Sequence, residues 1–565
     1  MFGSGLSGLG ITDNMYIIQN ARVYTMDESF PTASAVAVRN GRFVSVGDDQ
    51  SVLSDFKAID SISIVDLGGK VLLPGLVDAH LHLKKYALGL QKVNCETETK
   101  AECLRRVSNW AKKQEPGTWI LGHGWNQNEW LEGFGTTDDL DQITSEHPIF
   151  LTAKSLHVGW ANSMALRIAS ISNNTEDPND GVIQRDVLGE PTGILLEKAM
   201  KLVSDVVDQP NQLDIEHVIE RAQSNLWSVG VTGIHDFDRR ECFIALQRLH
   251  QDNKLHLRVL KSISIDDLEF AVGLGLRSGF GDDMLRIGSL KMFSDGALGP
   301  RTAAMTLPYE SEPGNLGMLL KDGEEIFESG RIAVENGLSL AIHAIGDRAN
   351  HEVLNAFEGL RAYEESLIIE NRNNNRDAAD GISAIMKPKL RHRIEHVQLI
   401  HPDDVHRLSE LDIIASMQPI HATSDMLMSD KYWGERSKYA YAWNMIKHSG
   451  TRLAFGSDAP VDSPNPFWGI HAAVTRQRRD GTPTDESWYG AQKVSVFDAI
   501  GGFTTGAAYA SLLEDRLGKI KTGYLADFIV LDVDPFNCDP DSLWRIEPLA
   551  TVVEGEWVYQ REDLF

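Results

Sequence analysis

Eight short apolar runs alternate with longer helical stretches through the middle of this chain, and few folds satisfy that alternation. The runs are "GLVDAHLH", "GVTGIHDF", "LHLRVLKSIS", "LRIGSLKMFSDG", "LSLAIHAIGD", "HRIEHVQL", "DIIASMQP" and "RLAFGSDAP". Strands interleaved with helices predict a parallel α/β architecture. Eight such units are what a closed (β/α)8 TIM barrel requires. The gap between the first and second runs is far longer than one βα unit needs. It predicts an inserted subdomain after strand 1, over about residues 92–225. The stretch "IIENRNNNRDAADGIS", Ile368 to Ser383, is polar and lacks periodicity, so it reads as a surface loop.

Both ends of the chain read as strands. "MYIIQNARVYTMD" is followed by "SAVAVRNGRFVSVG", where Asn40-Gly41 between apolar alternations signals a hairpin. Near the C-terminus, "GYLADFIVLDVDP" precedes "TVVEGEWVYQ", which turns at Glu554-Gly555. Neither end is large enough for a core of its own. They are expected to pack together as one discontinuous small β-sandwich, from residues 1–74 plus 507–565, with the barrel over 75–506.

Composition narrows the function. With 565 residues, 42% hydrophobic and 24% charged, the chain reads as an ordinary globular protein of more than one domain. A formal net charge of -27 argues against nucleic acid or an anionic membrane as partner, since both attract basic surfaces. The four cysteines, Cys95, Cys103, Cys242 and Cys538, form neither a disulfide framework nor a cysteine zinc site. A reducing, cytoplasmic setting is expected. The start "MFGSGLSGLGITDN" lacks the pattern of a signal peptide, and no apolar run is long enough to span a bilayer.

Polar residues sit at the C-terminal ends of several runs, where barrel enzymes build their sites. Side chains on a strand alternate faces, so Asp78, His80 and His82 point the same way. By the same parity His343 shares its face with Ser339 and Ala341, and Asp458 with Ala454 and Gly456. His396 and Lys291 occupy equivalent places, although parity is weaker there, and it sends Glu395 toward the helix layer without an evident partner. A lone strand histidine is ordinarily a hydrogen-bonded core residue. Several of them, each ending a candidate barrel strand, point instead to a metal site of His80, His82, Lys291, His343, His396 and Asp458. Imidazole and carboxylate suit zinc or a similar divalent ion.

The motifs "PGLVDAHLHL", "IHAIGDRAN", "RIEHVQ" and "FGSDAPV" resemble the metal motifs of the amidohydrolase superfamily. "GHGWNQNEW", "GEPTGILLEKA", "KMFSDGALGPRTAAM" and "SMQPIHATSD" are similar to the branch that contains N-substituted formamide deformylase. The resemblance implies that His80 and His82 bind one metal with Asp458, that His343 and His396 bind a second, and that Lys291 bridges two zinc ions as a carboxylated lysine. The competing arrangement is an unmodified Lys291 beside a single metal, paired with Asp295.

The resulting expectation is a metal-dependent hydrolase of non-peptide carbon–nitrogen bonds, acting on a small-molecule amide, N-substituted or N-acyl. Metal-bound hydroxide would attack, with Asp458 as general base passing the proton to the leaving nitrogen. A lactone or ester hydrolase is the alternative on the same site. A catalytically inactive regulatory or binding barrel is the alternative of another class, disfavoured because no ligand position is missing. Trp125, Gln127 and Trp130 are candidates for a lid, or for the core of the inserted subdomain. His157 is a candidate for substrate contact or for a structural role. Gln418 and His421 follow strand seven and are better placed for substrate, and Asp295 and Arg301 could hold a polar substrate group. The aromatics of "KYWGERSKYAYAW", Trp433 among them, fit an apolar substrate wall or a homodimer interface.

Overall fold

The computed structural model describes residues 15–564, apart from 60–61, 128–129, 154–157, 180, 208–210, 377–389, 485 and 563. The eight apolar runs form one parallel sheet. Its strands are β1 (Leu76–Leu81), β2 (Val231–Asp236), β3 (Arg258–Ser264), β4 (Leu285–Phe293), β5 (Leu340–Ala344), β6 (Arg393–His396), β7 (Ile414–Met417) and β8 (Leu453–Phe455). They pair in sequence order. Just past the strand ends the two edges meet, through a parallel bridge between Leu81 and Ala459 and a hydrogen bond from the Asp458 amide to the His80 carbonyl (2.7 Å). The sheet thus curls into a barrel with its helices outside, as the alternation required.

Gly456 lies at this seam, and a Cβ there would stand 2.4 Å from the His80 nitrogen and 2.6 Å from Asp78 Oδ1. Asp78 accepts hydrogen bonds from the amides of His80 and Ser457 (both 3.0 Å) and from the Ser457 hydroxyl (2.5 Å). It ties the ends of β1 and β8 together and so helps aim both metal motifs.

The chain termini interleave. The strands Val71–Pro74 and Phe528–Leu531 pair antiparallel, with Leu73 opposite Ile529, inside a six-stranded sheet. A second sheet of four strands holds Met15–Gln19 and Ala35–Arg39. Ile18, Val36 and Val38 of the second share one buried cluster with Val23, Leu72, Phe528 and Val530 of the first. Neither end could bury this surface alone. Both sequence-marked hairpins turn on two positive-φ residues, Asn40 and Gly41 (50° and 72°) and Glu554 and Gly555 (52° and 77°). That geometry matches the strand twist.

The chain divides into two compact units, Met1–Tyr86 with Ile219–Phe565, and Ala87–Val218. The second unit has its own six-stranded sheet and its own core, in which Trp125, Trp130 and Trp160 pack ring against ring. The expected polar loop from Ile368 is corrected over its first part, because the helix Asp347–Arg376 runs through it. Its remainder lies outside the described residues. No helix among the described residues is long and apolar enough to cross a membrane.

One buried ion pair joins the barrel to the terminal sheet. Arg258 on β3 forks onto both oxygens of Asp527 (2.5 and 2.8 Å), and both side chains are almost wholly shielded from solvent. Removing one partner strands the other charge in a low dielectric. Asp527→Ala is therefore expected to cost about 3–5 kcal/mol, and the double variant Arg258→Met/Asp527→Leu clearly less. Denaturant unfolding of both proteins reads the difference.

Candidate active site

The site is built on the C-terminal ends of the barrel strands. His80 comes from β1, Lys291 from β4, His343 from β5 and His396 from β6, with His82 and Asp458 just beyond β1 and β8. One ligand atom each from His80, His396 and Asp458 lies within 4.8 Å of the others. The Nε2 atoms of His80 and His82 stand 3.6 and 3.4 Å from Asp458 Oδ1. Two donors on one tetrahedral ion at ~2.1 Å are about 3.4 Å apart, so this spacing suits a shared metal. The His343 ring centroid is 4.6 Å from that of His396.

Glu395 explains how His80 is aimed. Its Oε2 lies 2.6 Å from His80 Nδ1. A carboxylate can only accept, so Nδ1 carries the hydrogen and Nε2 is left with its lone pair toward Asp458. Glu395 is clamped in turn by Arg393, which also donates to His235 Nδ1 (2.7 Å), the Ala79 carbonyl (2.6 Å) and the Ser416 hydroxyl (2.6 Å). The expectation that Glu395 faces the helix layer is corrected. Glu395 shares its face of the strand with Arg393, which lies on the axis, and His396 and Val397 have positive φ (77° and 42°), so alternation breaks after Glu395 and His396 reaches the axis as well. His82 has a similar support, its Nδ1 lying 3.3 Å from Asp238 Oδ1.

Burial sets the electrostatics. It pushes His80 down to about 4 and His343 down to about 3, in each case helped by the charge on Lys291. It drives His396 well below the ordinary histidine value. The imidazoles therefore stand neutral at pH 7, as ligands must. Burial likewise lowers Lys291 to about 8, against the pull of Glu395 and Asp458. Its Nζ sits 4.7 and 4.8 Å from the ring centroids of Phe237 and Phe293. For Asp458, burial alone would raise the carboxyl, but the attraction of His80, His421 and His396 prevails and holds it well below the usual range. His396 Nδ1 is buried without a hydrogen-bond partner, a polar atom that a ligand would satisfy.

His421, on the helix Pro419–Trp433, joins the site. Its Nε2 is 3.5 Å from Asp458 Oδ2, and its Nδ1 is 2.7 Å from Asp462 Oδ2. Burial opposes its charge, but hydrogen bonds to Asp458 and Asp462 overcome that and raise it to about 10. The carboxylate of Asp458 is thereby divided, with Oδ1 toward the two histidines of β1 and Oδ2 toward His421.

Other expected substrate residues fall elsewhere. Asp295 accepts hydrogen bonds from the amides of Ala304, Ile345 and Gly346 (2.9, 3.0 and 2.8 Å), which ties two loops together, and its Oδ1 also lies 3.6 Å from His343 Nε2. Burial raises its carboxyl to about 7 in spite of those amides. Trp433 is fully buried in the main core, with Trp443 and Tyr441 beside it in the same cluster. The apolar wall expected from Trp433 is thus corrected, because the helix end carries that ring inward. Trp125 is core of the unit Ala87–Val218, its indole nitrogen bonded to the Leu151 carbonyl (3.0 Å), which corrects its place in a lid. Gln127 is half-buried in the same unit, and His157 lies outside the described residues. Gln418 is buried, turned back on the Ser416 carbonyl (3.3 Å). Arg301 is half-exposed and pairs with Glu312 (2.7 Å) over the Tyr432 ring.

Sequence reasoning misplaced Glu395 and passed over Arg393, Asp238, Asp462 and the half-exposed Phe293, whose ring centroid is 5.1 Å from that of His343. The adjacency of Glu395 to His396 and of Asp462 to "FGSDAPV" was the available signal.

Comparisons with known proteins give the family. The model of the amidohydrolase family matches residues 63–559, and the chain belongs to that family of hydrolases. It is 32% identical to Protein LONG AFTER FAR-RED 3 of Arabidopsis thaliana, over 96% of this chain and 91% of that one. It is 27% identical to N-substituted formamide deformylase of Arthrobacter pascens, over 96% and 98%. The crystal structure of an uncharacterized metal-dependent hydrolase from Pyrococcus furiosus superposes with a TM-score of 0.72 at 30% identity, covering 93% of this chain and all of that one (100%).

The buried place of Trp433 makes its truncation a matter of packing. Trp433→Ala should cost about 3–5 kcal/mol of stability, and any folded fraction should keep the relative rates on large and small substrates. Thermal melting, together with kcat/KM on two substrates of different size, checks this.

Proposed function

We propose that this chain hydrolyses the carbon–nitrogen bond of an N-substituted amide at a divalent metal centre that His80, His82, His343, His396 and Asp458 would hold, with Lys291 joining them as a carbamate. The observation that carries this reading is the division of Asp458. One oxygen lies 3.6 and 3.4 Å from two lone-pair-bearing Nε2 atoms, and the other turns away toward His421. A carboxylate so placed can touch a metal and still take a proton. The names of two relatives support the class: one acts on N-substituted formamides, and the solved neighbour is a metal-dependent hydrolase.

The donor set fits the group. It offers neutral imidazoles and a carboxylate, the chemistry of zinc and its neighbours. At divalent ions held by these residues, the amide carbonyl would be polarised and water would become acidic enough to attack near neutral pH. The protein's own residues do the rest. Glu395 and Asp238 hold His80 and His82 with Nε2 facing Asp458. Asp458 accepts the proton of the attacking water. Lys291, whose charge burial disfavours, can present the neutral amine that adds to CO2. That addition forms an N–C bond, releases one proton and leaves an anion suited to bridge two cations.

Two outcomes are expected. Fully active protein should carry about two divalent ions per chain. Elemental analysis returning one ion at full activity would remove the bridge. Asp458→Asn keeps the size of the side chain and one oxygen but removes its basicity. It should retain most of its metal and turn over at least about a hundred times more slowly, the lower end of general acid–base contributions. His343→Ala should instead lose metal and activity together. Turnover at saturating amide, with metal content measured on the same sample, separates the two. Near-normal turnover of metal-loaded Asp458→Asn would falsify its role as base.

A further inference from the structure

Asp462 and His421 stand outside the metal ligand set, yet they are built into the site as firmly as any ligand. Asp462 Oδ2 takes the Nδ1 hydrogen of His421 at 2.7 Å. The Ser424 hydroxyl lies 3.1 and 3.2 Å from the two Asp462 oxygens, so the carboxylate is itself held. Ser424 and His421 lie three residues apart on the helix Pro419–Trp433, so one face of that helix grips Asp462 at two points. The His421 side chain is 9% exposed, and its remaining nitrogen, Nε2, is 3.5 Å from Asp458 Oδ2. Asp462, His421 and Asp458 thus form a directed chain that ends on the oxygen of Asp458 facing away from His80 and His82.

A hydrolase of unactivated amides has two proton tasks. The attacking water must lose a proton, and the departing nitrogen must gain one, because an alkylamide anion is too basic to leave. One carboxylate oxygen turned toward the metal ligands is suited to the first task. The second calls for a donor on the far side of Asp458, and His421 Nε2 is there.

Resting on the amide-hydrolysis reading above, we propose that His421, aimed by Asp462 as a positioning residue, delivers the proton to the leaving nitrogen. Asp458 takes one proton from the attacking water, and the water oxygen bonds to the carbonyl carbon. The Nε2–H proton of His421 moves to the nitrogen as the C–N bond breaks, and the bonding pair stays on nitrogen. The proton on Asp458 then passes through Oδ2 to refill Nε2. One water is consumed, a carboxylic acid and an amine are released, and both side chains return to their starting state. Catalytic hydrogen bonds are often long before substrate is bound, and the 3.5 Å separation between Nε2 and Oδ2 is compatible with that.

The leaving group provides the test. Two substrates share one acyl group, the first an N-alkylamide and the second a p-nitroanilide, whose nitrogen can depart without being protonated. Wild type, Asp462→Asn and His421→Gln are loaded with zinc, and metal content is measured on each sample. The variants are expected to hold wild-type metal, to lose about a hundredfold or more in kcat on the alkylamide, and to lose less than about tenfold on the anilide. An equal loss on both substrates would mean that Asp462 and His421 only support the fold, and the relay falls. Loss of metal in Asp462→Asn overturns it too, by making the pair a support for the ligands. If His421→Gln does not fold, Asp462→Asn, which changes one atom of a partly exposed side chain, still decides. If zinc-loaded wild type cleaves neither substrate, the amide reading itself is wrong and the relay goes with it, an outcome distinct from equal loss in the variants.

Discussion

The hydrogen bond between His80 Nδ1 and Glu395, 2.6 Å long and closed to solvent, is the contact on which the site depends. A buried carboxylate beside a buried imidazole is costly unless each completes the other. Here the carboxylate fixes which nitrogen carries hydrogen, and Arg393 balances its charge from below. Arg393 also reaches His235, Ser416 and the Ala79 carbonyl, on strands spread around the barrel. A single polar cluster on the axis therefore sets the rotation of several strands at once. It also sends the lone pair of His80 upward to the mouth.

Above that cluster, the barrel divides labour by oxygen and nitrogen atoms rather than by residues. The two imidazoles of β1 face Asp458 Oδ1, and His421 faces Oδ2. The arrangement needs the close seam at Gly456, where a side chain would collide with the His80 backbone. It needs Asp78 as well, which binds the Ser457 amide and hydroxyl across the same seam. Stability and chemistry thus meet at one junction between the first and last strands. The unit Ala87–Val218 packs its own tryptophan core.

Much of this was legible from residues close in sequence. The H-x-H at the end of β1 and the polar residues near the ends of several later strands follow from strand periodicity, which operates over a few residues. The two hairpins followed from Asn40-Gly41 and Glu554-Gly555, because positive φ is a local demand. Trp433 misled for the opposite reason. Its aromatic neighbours suggested a pocket wall, but whether a ring faces a cleft or a core depends on where its helix ends, and this helix ends with the indole in the core. Asp295 misled in the same way, since its partners are amides of Ala304, Ile345 and Gly346, on two other loops.

By itself the sequence determined the barrel, the pairing of the two ends and most of the polar residues that gather at the barrel mouth. Each of these is written in periodicity, composition or short motifs, and each is enforced by the cost of exposing apolar strands or burying unpaired polar groups. Only the tertiary structure decided which acids serve which histidines. Glu395 reaches His80 across 315 positions of sequence, and Asp238 reaches His82 across 156. Such pairs arise from closing a barrel whose strands are remote in the chain. The positive-φ backbone at His396 and Val397 breaks the alternation after Glu395, so that His396 joins the side Arg393 and Glu395 already share, and no local pattern announces it.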